Sequence, residues 1–338
     1  MPLKIGVVGV GAIGREHAHR CAKVLPGSTV TALSDVDEEA VRKFMAEEKF
    51  DASFFANGHE LIQSPNVDAV LVTCWGAKHE EFVISAIEAG KPVFCEKPLA
   101  ETAEACRNIV NAEIGRGRRL VQVGFMRPFD RGYQALKKTL DDGTIGSPLV
   151  VNCRHFNYDN VPYYKTSMAI NDTLIHELDV LRWLLDDDYL TVQVYFPRRS
   201  ANAPEAVRDP QIVVLRTIKG IHINAEIYVF SKFAYDVQCE VIGENGIASL
   251  PEPMAVPIRR AARDERALLT DWKTRFIDAY DVELQAFIEN AKSGKFTSGA
   301  SAWDGYAAAV AADACIKSQT TLATEPVDMP PCPAFYKK

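Results

Sequence analysis

Ile5-Gly6-Val7-Val8-Gly9-Val10-Gly11-Ala12-Ile13-Gly14 is the stretch whose reading decides how this chain begins to fold. A short apolar strand runs into a Gly-x-Gly-x-x-Gly turn, and helical spacing follows. In that setting Gly9 allows the tight turn, Gly11 lets a pyrophosphate approach the backbone, and Gly14 lets helix and strand pack closely. The helix start, with Ala12 and Ile13, adds partial positive charge where phosphates would lie. A glycine turn without a ligand is the competing reading, and the flanking strand and helix weigh against it. Asp35 closes the next strand about twenty residues on, where an acidic residue receives ribose hydroxyls. Its carboxylate would repel a 2′-phosphate and no arginine follows at once, so NAD is expected over NADP, with Val36 at the same edge. A strand-end aspartate that merely starts a turn is the alternative.

Working outward, apolar runs at 4–9, 29–34, 69–73, 92–95 and 120–125 alternate with helical stretches at 14–24, 38–48, 80–89 and 102–114. Ala69-Val70-Leu71-Val72 is continuously apolar, as in a parallel strand buried on both faces. Alternating strand and helix predicts an α/β Rossmann domain, a doubly wound parallel sheet, over residues 1–124. Past residue 149 the texture changes. Runs at 149–155, 191–196, 212–218, 221–228, 237–243 and 247–250 follow one another, and Lys219-Gly220 and Glu244-Asn245-Gly246 supply hairpin turns. Residues 125–338 therefore read as an α+β domain for substrate and oligomerisation, with a large, mostly antiparallel open sheet. Helices are expected at 172–185, 272–291 and 303–317, the last of them placed to pack back on the first domain.

The composition fits a globular enzyme, with 338 residues, 47% hydrophobic and 25% charged. A formal charge of −7 without blocks of like charge argues against nucleic acid or an anionic membrane as partner. No apolar run approaches the roughly 20 residues of a spanning helix, and Met1-Pro2-Leu3-Lys4 leads straight into a strand, so no secretory signal is expected. The eight cysteines form no CxxC pair and no zinc spacing, so they read as reduced thiols in a cytoplasmic protein, and no metal is expected.

Glu96-Lys97-Pro98 ends a strand, and ligands bind at the carboxyl ends of strands in such sheets. Lys97 is thus placed to reach the nicotinamide end of a cofactor, although a lysine there is also ordinary surface. Thr73, Cys74, Trp75 and His79 follow another strand where a cofactor would pass, and a packing tryptophan with a helix-starting histidine fits equally well. Asp172 and His176, four apart, share a helix face, so the carboxylate can orient the imidazole and raise its basicity. The same pair also fits a helix cap and an interior histidine. His17 and His19 stand two apart on different faces, which speaks against a metal site. His155, Asn157 and Tyr158 close a strand, where they read either as sugar-hydroxyl ligands or as loop polars.

Together, Gly9-x-Gly11-x-x-Gly14, Glu96-Lys97-Pro98 and Asp172-x-x-x-His176 resemble the Gfo/Idh/MocA oxidoreductases. Leu120-Val121-Gln122-Val123-Gly124-Phe125-Met126-Arg127, Asp209-Pro210-Gln211-Ile212-Val213-Val214 and Ala302-Trp303-Asp304-Gly305-Tyr306 extend the likeness almost end to end, toward the members that oxidise inositols. The resemblance implies NAD-dependent oxidation of a cyclic polyol, myo-inositol to scyllo-inosose, with Lys97, Asp172 and His176 as the catalytic set. It further implies Glu96 and Met126 at the cofactor, and Arg127, His155, Asn157, Tyr158 and Tyr235 at the substrate. A homotetramer formed through the open sheet faces and a cis peptide before Pro98 belong to the same expectation. Pro128 stands where many relatives carry a second arginine, and Phe156 and Tyr158 depart from a common His-Arg-Asn-Pro segment that His155 and Asn157 match. Another inositol isomer or a pyranose is therefore an alternative substrate. An NAD-dependent glycosidase and a non-catalytic NAD-responsive protein are further alternatives.

Overall fold

The computed structural model describes residues 1–253 and 255–337, which divide into two compact units. The chain leaves the first unit after Met126, returns to it for Tyr280–Ala309, and returns again from Pro331 on.

The first unit holds a six-stranded parallel sheet in the order β3-β2-β1-β4-β5-β6. Its strands are β1 (Leu3–Val8), β2 (Ser28–Ser34), β3 (Ser53–Phe55), β4 (Ala69–Val72), β5 (Val93–Glu96) and β6 (Val121–Gly124). Between them run α1 (Ala12–His19), α2 (Glu38–Glu48), α3 (Gly58–Gln63), α4 (His79–Glu88) and α5 (Ala103–Arg116). All four residues of β4 are buried, as its unbroken apolar sequence demands. Side chains start α2 and α5: Asp37 accepts the Ala40 N–H and Thr102 accepts the Ala105 N–H. Gly117, at φ 73°, stops α5. Ile5, Val7 and Leu33 pack with Phe44 of α2 and with Leu284, Phe287 and Ile288 from the returning segment. The sequence did not announce β3 and α3, because elements of three and six residues are too short to show a period.

The second unit comprises Arg127–Ala279 and Val310–Pro330. Its seven-stranded sheet runs β12-β11-β7-β10-β9-β8-β15. The strands are β7 (Pro148–Phe156), β8 (Tyr189–Tyr195), β9 (Gln211–Thr217), β10 (His222–Tyr228), β11 (Asp236–Gly243), β12 (Ile247–Ser249) and β15 (Glu325–Pro326), while β13 (Ile258–Arg260) and β14 (Arg263–Glu265) form a separate hairpin. Every pairing in the sheet is antiparallel except β7 with β10. Along β7, Val151, Cys153 and His155 are buried while Asn152, Arg154 and Phe156 are only partly covered, so one face carries the core and the other is open. On the buried face His155 of β7 meets Glu177 of α7 (Ile175–Leu185), and α6 (Arg131–Asp141) packs against α7. The Asp130 side chain starts α6 by accepting the Gly132 and Tyr133 N–H groups. Two further α-helices are α8 (Trp272–Ser293) and α9 (Ala302–Thr321), and α8 kinks at Phe276. No described helix is long and apolar enough to cross a membrane.

Candidate active site

In the first unit the three glycines of the turn are needed for different reasons. Gly9 sits at φ +97°, and a Cβ there would lie 2.3 Å from the Cys74 nitrogen. A Cβ on Gly14 would lie 2.0 Å from the Gly9 oxygen. At Gly11 a Cβ would meet nothing within 4 Å, so the fold does not require glycine there, whereas close approach of a ligand to the backbone does. No side chain caps the start of α1, which leaves that end to an anion. Thr73 braces the turn by donating its hydroxyl to the Gly9 oxygen at 2.6 Å. The Asp35 carboxylate accepts the Val10 N–H at 2.6 Å and the Asp37 N–H at 3.2 Å, which fixes it against the same turn. Val36 is fully exposed and Trp75 three-quarters exposed. Cys74 is half-buried, and burial pushes its thiol up to about 11, which makes it a poor nucleophile. This cradle, the uncapped helix start and the acidic residue at its edge fit a dinucleotide.

His79 departs from the expected cofactor lining. Its ring is buried between two carbonyls, Nδ1 2.7 Å from the Pro98 oxygen and Nε2 3.0 Å from the Cys74 oxygen, and the neutral ring donates its one N–H to one of them. Burial, only partly offset by those carbonyls, lowers its pKa. It braces the main chain on either side of the strand ends. Glu96 is likewise interior. One carboxylate oxygen meets His17 Nε2 at 2.7 Å and the other accepts the Lys97 N–H at 3.1 Å. The Lys97–Pro98 peptide is cis, as the resemblance implied, and Met126 is buried. His17 as the partner of Glu96 was not legible in the sequence, since 79 residues separate them.

In the second unit, the helix expected from Asp172 onward is not one α-helix. Residues Ala169–Leu174 form a wider π turn, with the Ile175 N–H reaching back to the Ile170 oxygen, and α-helix begins only at Ile175. Such turns occur preferentially at functional sites, and a single one leaves no mark on a 3.6-residue period. Asp172 lies in the wide turn and His176 in the first turn of α7. Around Asp172, Tyr164 and Thr173 share a hydrogen bond at 3.0 Å, and burial together with the Asp172 charge holds the Tyr164 phenol well above its ordinary value. The Asn157 amide reaches Thr173 at 3.4 Å. Tyr158 is partly exposed. The His155 and His176 rings lie 6.1 Å apart.

Arg127 and His155, expected to face substrate, are interior. Arg127 is 1% exposed, its guanidinium paired with Glu177 and, at 2.9 Å, with His155 Nδ1. It lies over the Tyr133 and Phe276 rings, each at 5.9 Å. The same Nδ1 lies 3.2 Å from the second Glu177 oxygen, so depending on its tautomer it either accepts from Arg127 or donates to Glu177, and Tyr235 packs edge-on against His155 at 5.7 Å. Burial raises the Glu177 carboxyl, but Arg127 and then His155 more than offset it, and it ends below the ordinary value. Burial raises the Tyr235 phenol. The sequence did carry a signal for Glu177. It falls on the apolar stripe of Leu174, Leu181 and Leu184, where a carboxylate is costly unless paired. Among the described residues no group of three or more His, Cys, Asp or Glu side chains is arranged to hold a metal.

A parallel sheet in dinucleotide-binding order, a braced glycine turn and an acidic residue at its edge define a dinucleotide-binding Rossmann fold, and the family match makes it an NAD-binding oxidoreductase. The chain belongs to the Gfo/Idh/MocA oxidoreductase family. The family's NAD-binding Rossmann fold matches residues 3–125 and its C-terminal alpha/beta domain matches residues 137–329. Inositol 2-dehydrogenase from Serratia proteamaculans (strain 568) is 58% identical over 338 residues, with both chains covered in full. The enzyme of that name from Pseudomonas fluorescens (strain SBW25) is 58% identical over 336 residues, 99% of this chain and 100% of the relative. Among solved structures, myo-inositol dehydrogenase from Lactobacillus casei in complex with NAD(H) and myo-inositol matches with a TM-score of 0.97 at 41% identity, covering 100% of each chain.

Proposed function

We propose that this protein is an inositol dehydrogenase that oxidises myo-inositol to scyllo-inosose with NAD. The reading rests on end-to-end identity of 58% to inositol 2-dehydrogenases. Gly9, Gly11, Ala12, Ile13 and Gly14 would hold the pyrophosphate and Asp35 the ribose hydroxyls, flanked by Val36, Cys74, Trp75 and Met126, with Thr73, His79 and Glu96 bracing from behind. When bound, NAD supplies the hydride acceptor. His176 takes the hydroxyl proton as the neighbouring C–H bond breaks, and Asp172 orients and steadies the imidazolium. Lys97 donates a hydrogen bond to the same oxygen and stabilises the charge developing there. Asn157 and Tyr158 hold ring hydroxyls. Arg127, His155 and Tyr235 act from inside the second unit, fixing the helix that carries His176. The active protein is proposed to be a cytoplasmic homotetramer, to be checked by light scattering on the purified protein.

Dehydrogenation of a different inositol isomer or a pyranose is the second reading, favoured by Phe156 and the partly exposed Tyr158, which do not fit the His-Arg-Asn-Pro pattern that the resemblance implies. The test is NADH formation from NAD with myo-, scyllo- and D-chiro-inositol, D-glucose and D-xylose, and NADP in parallel. Turnover led by myo-inositol supports the first reading, and turnover led by another member supports the second. Silence across the panel, with NAD retained through purification, would refute both and point to a glycosidase.

A further inference from the structure

We propose that His17 is a positioning residue for Lys97, acting through the Glu96 carboxylate. The proposal rests on the role of Lys97 given above. His17 lies on α1, the helix that opens at the glycine turn, and its ring is fully buried. Phe94 and Tyr280 surround it, each with its ring centroid 5.7 Å away. Nε2 lies 2.7 Å from Glu96, and Nδ1 has no partner among the described residues. The ring hydrogen therefore belongs on Nε2, where the carboxylate receives it, because on Nδ1 it would be a buried, unpaired donor. The other Glu96 oxygen accepts the backbone N–H of Lys97. On the far side, His79 holds the Pro98 carbonyl at 2.7 Å. The main chain at Lys97 is thus pinned from both directions, and the pin nearer the cofactor turn ends on His17.

Stability alone does not account for this arrangement. A buried imidazole–carboxylate pair is no better for the fold than apolar side chains of the same volume. What an apolar pair would lack is a carboxylate oxygen fixed where it receives the Lys97 N–H. His17 supplies that fixation and couples the helix beneath the pyrophosphate to the residue that meets the reacting oxygen.

The test compares His17→Asn with His17→Gln in the full-length protein. A glutamine amide reaches the position of Nε2, whereas the asparagine amide stops near Nδ1 and falls short of Glu96. Turnover of myo-inositol, its 2-deuterated form as a probe of the hydride step, and NADH binding by fluorescence are measured with the melting temperature. His17→Asn is expected to lower kcat by up to about 10²-fold, the scale of a misplaced catalytic group, with a larger isotope effect and unchanged NADH affinity. His17→Gln is expected to recover most of that loss. Wild-type kcat in the asparagine variant, equal impairment of the two, or parallel loss of kcat, NADH affinity and melting temperature would overturn the proposal. Should the asparagine variant fail to fold, the glutamine variant decides, since near-wild-type kcat supports the link and a large loss refutes it. A wild type inactive toward the whole polyol panel would instead defeat the role of Lys97 itself, and shows before any variant is made.

Discussion

Replacing Arg127 by Met tests whether this arginine serves the fold or the substrate. The side chain is 1% exposed and its charge is paired with Glu177, itself fully interior. Removing one member of such a pair leaves a buried carboxylate without its counter-charge, at a cost of about 3–5 kcal/mol. The second unit has about 170 residues, and for that size each kcal/mol moves the melting temperature by roughly 2–4 °C. Arg127→Met should therefore lower the midpoint by roughly 6–20 °C. Replacing both members, Arg127→Met with Glu177→Leu, removes the stranded charge and should recover at least half of the loss, because contacting residues are not additive. Urea unfolding at neutral pH, followed by circular dichroism for the wild type, both single variants and the double, supplies the cycle. The reasoning is refuted if Arg127→Met unfolds like the wild type while its KM for the polyol climbs, since the guanidinium would then face the substrate.

The acid limb of stability follows from the same pair. Because the Glu177 carboxyl ends below its ordinary value of 4.5, its contribution is present above that pH and lost as pH falls through the lower folded value. The wild type should lose stability below about pH 4.5, more steeply than the Arg127→Met/Glu177→Leu double variant, and identical acid profiles would refute the assignment. His176→Ala should lower kcat by about 10²–10⁴-fold with NADH affinity kept, and parallel loss of both would make His176 structural. Gly14→Ala should abolish NADH binding together with the native turn, because its Cβ would overlap the Gly9 oxygen. Gly11→Ala should fold normally and weaken NADH binding alone, and an unfolded Gly11→Ala protein would refute that distinction. Asp35→Ser should erode the preference for NAD over NADP, and an unchanged ratio of kcat/KM would remove Asp35 from the ribose.

What the sequence determined by itself is whatever local pattern and spacing can encode. Continuous apolar runs separated by helical segments specified a doubly wound sheet, and the Gly9–Gly14 turn with Asp35 specified its dinucleotide edge. Lys219-Gly220 and Glu244-Asn245-Gly246 placed hairpins that join β9 to β10 and β11 to β12. Tertiary structure alone decided which polar side chains meet. His17 and Glu96 are brought together across 79 residues, and Arg127, His155 and Glu177 converge from a short 3-10 turn, a strand and a helix. The resemblance placed Arg127 at the substrate, whereas the structure buries its side chain, and nothing local distinguishes an arginine that binds from one that is buried. Burial is settled by whether a counter-charge arrives from elsewhere in the fold, and here Glu177 does. The wide turn at Asp172 was equally hidden, since one extra residue in a helical turn is a departure in backbone hydrogen bonding, not in the order of apolar residues.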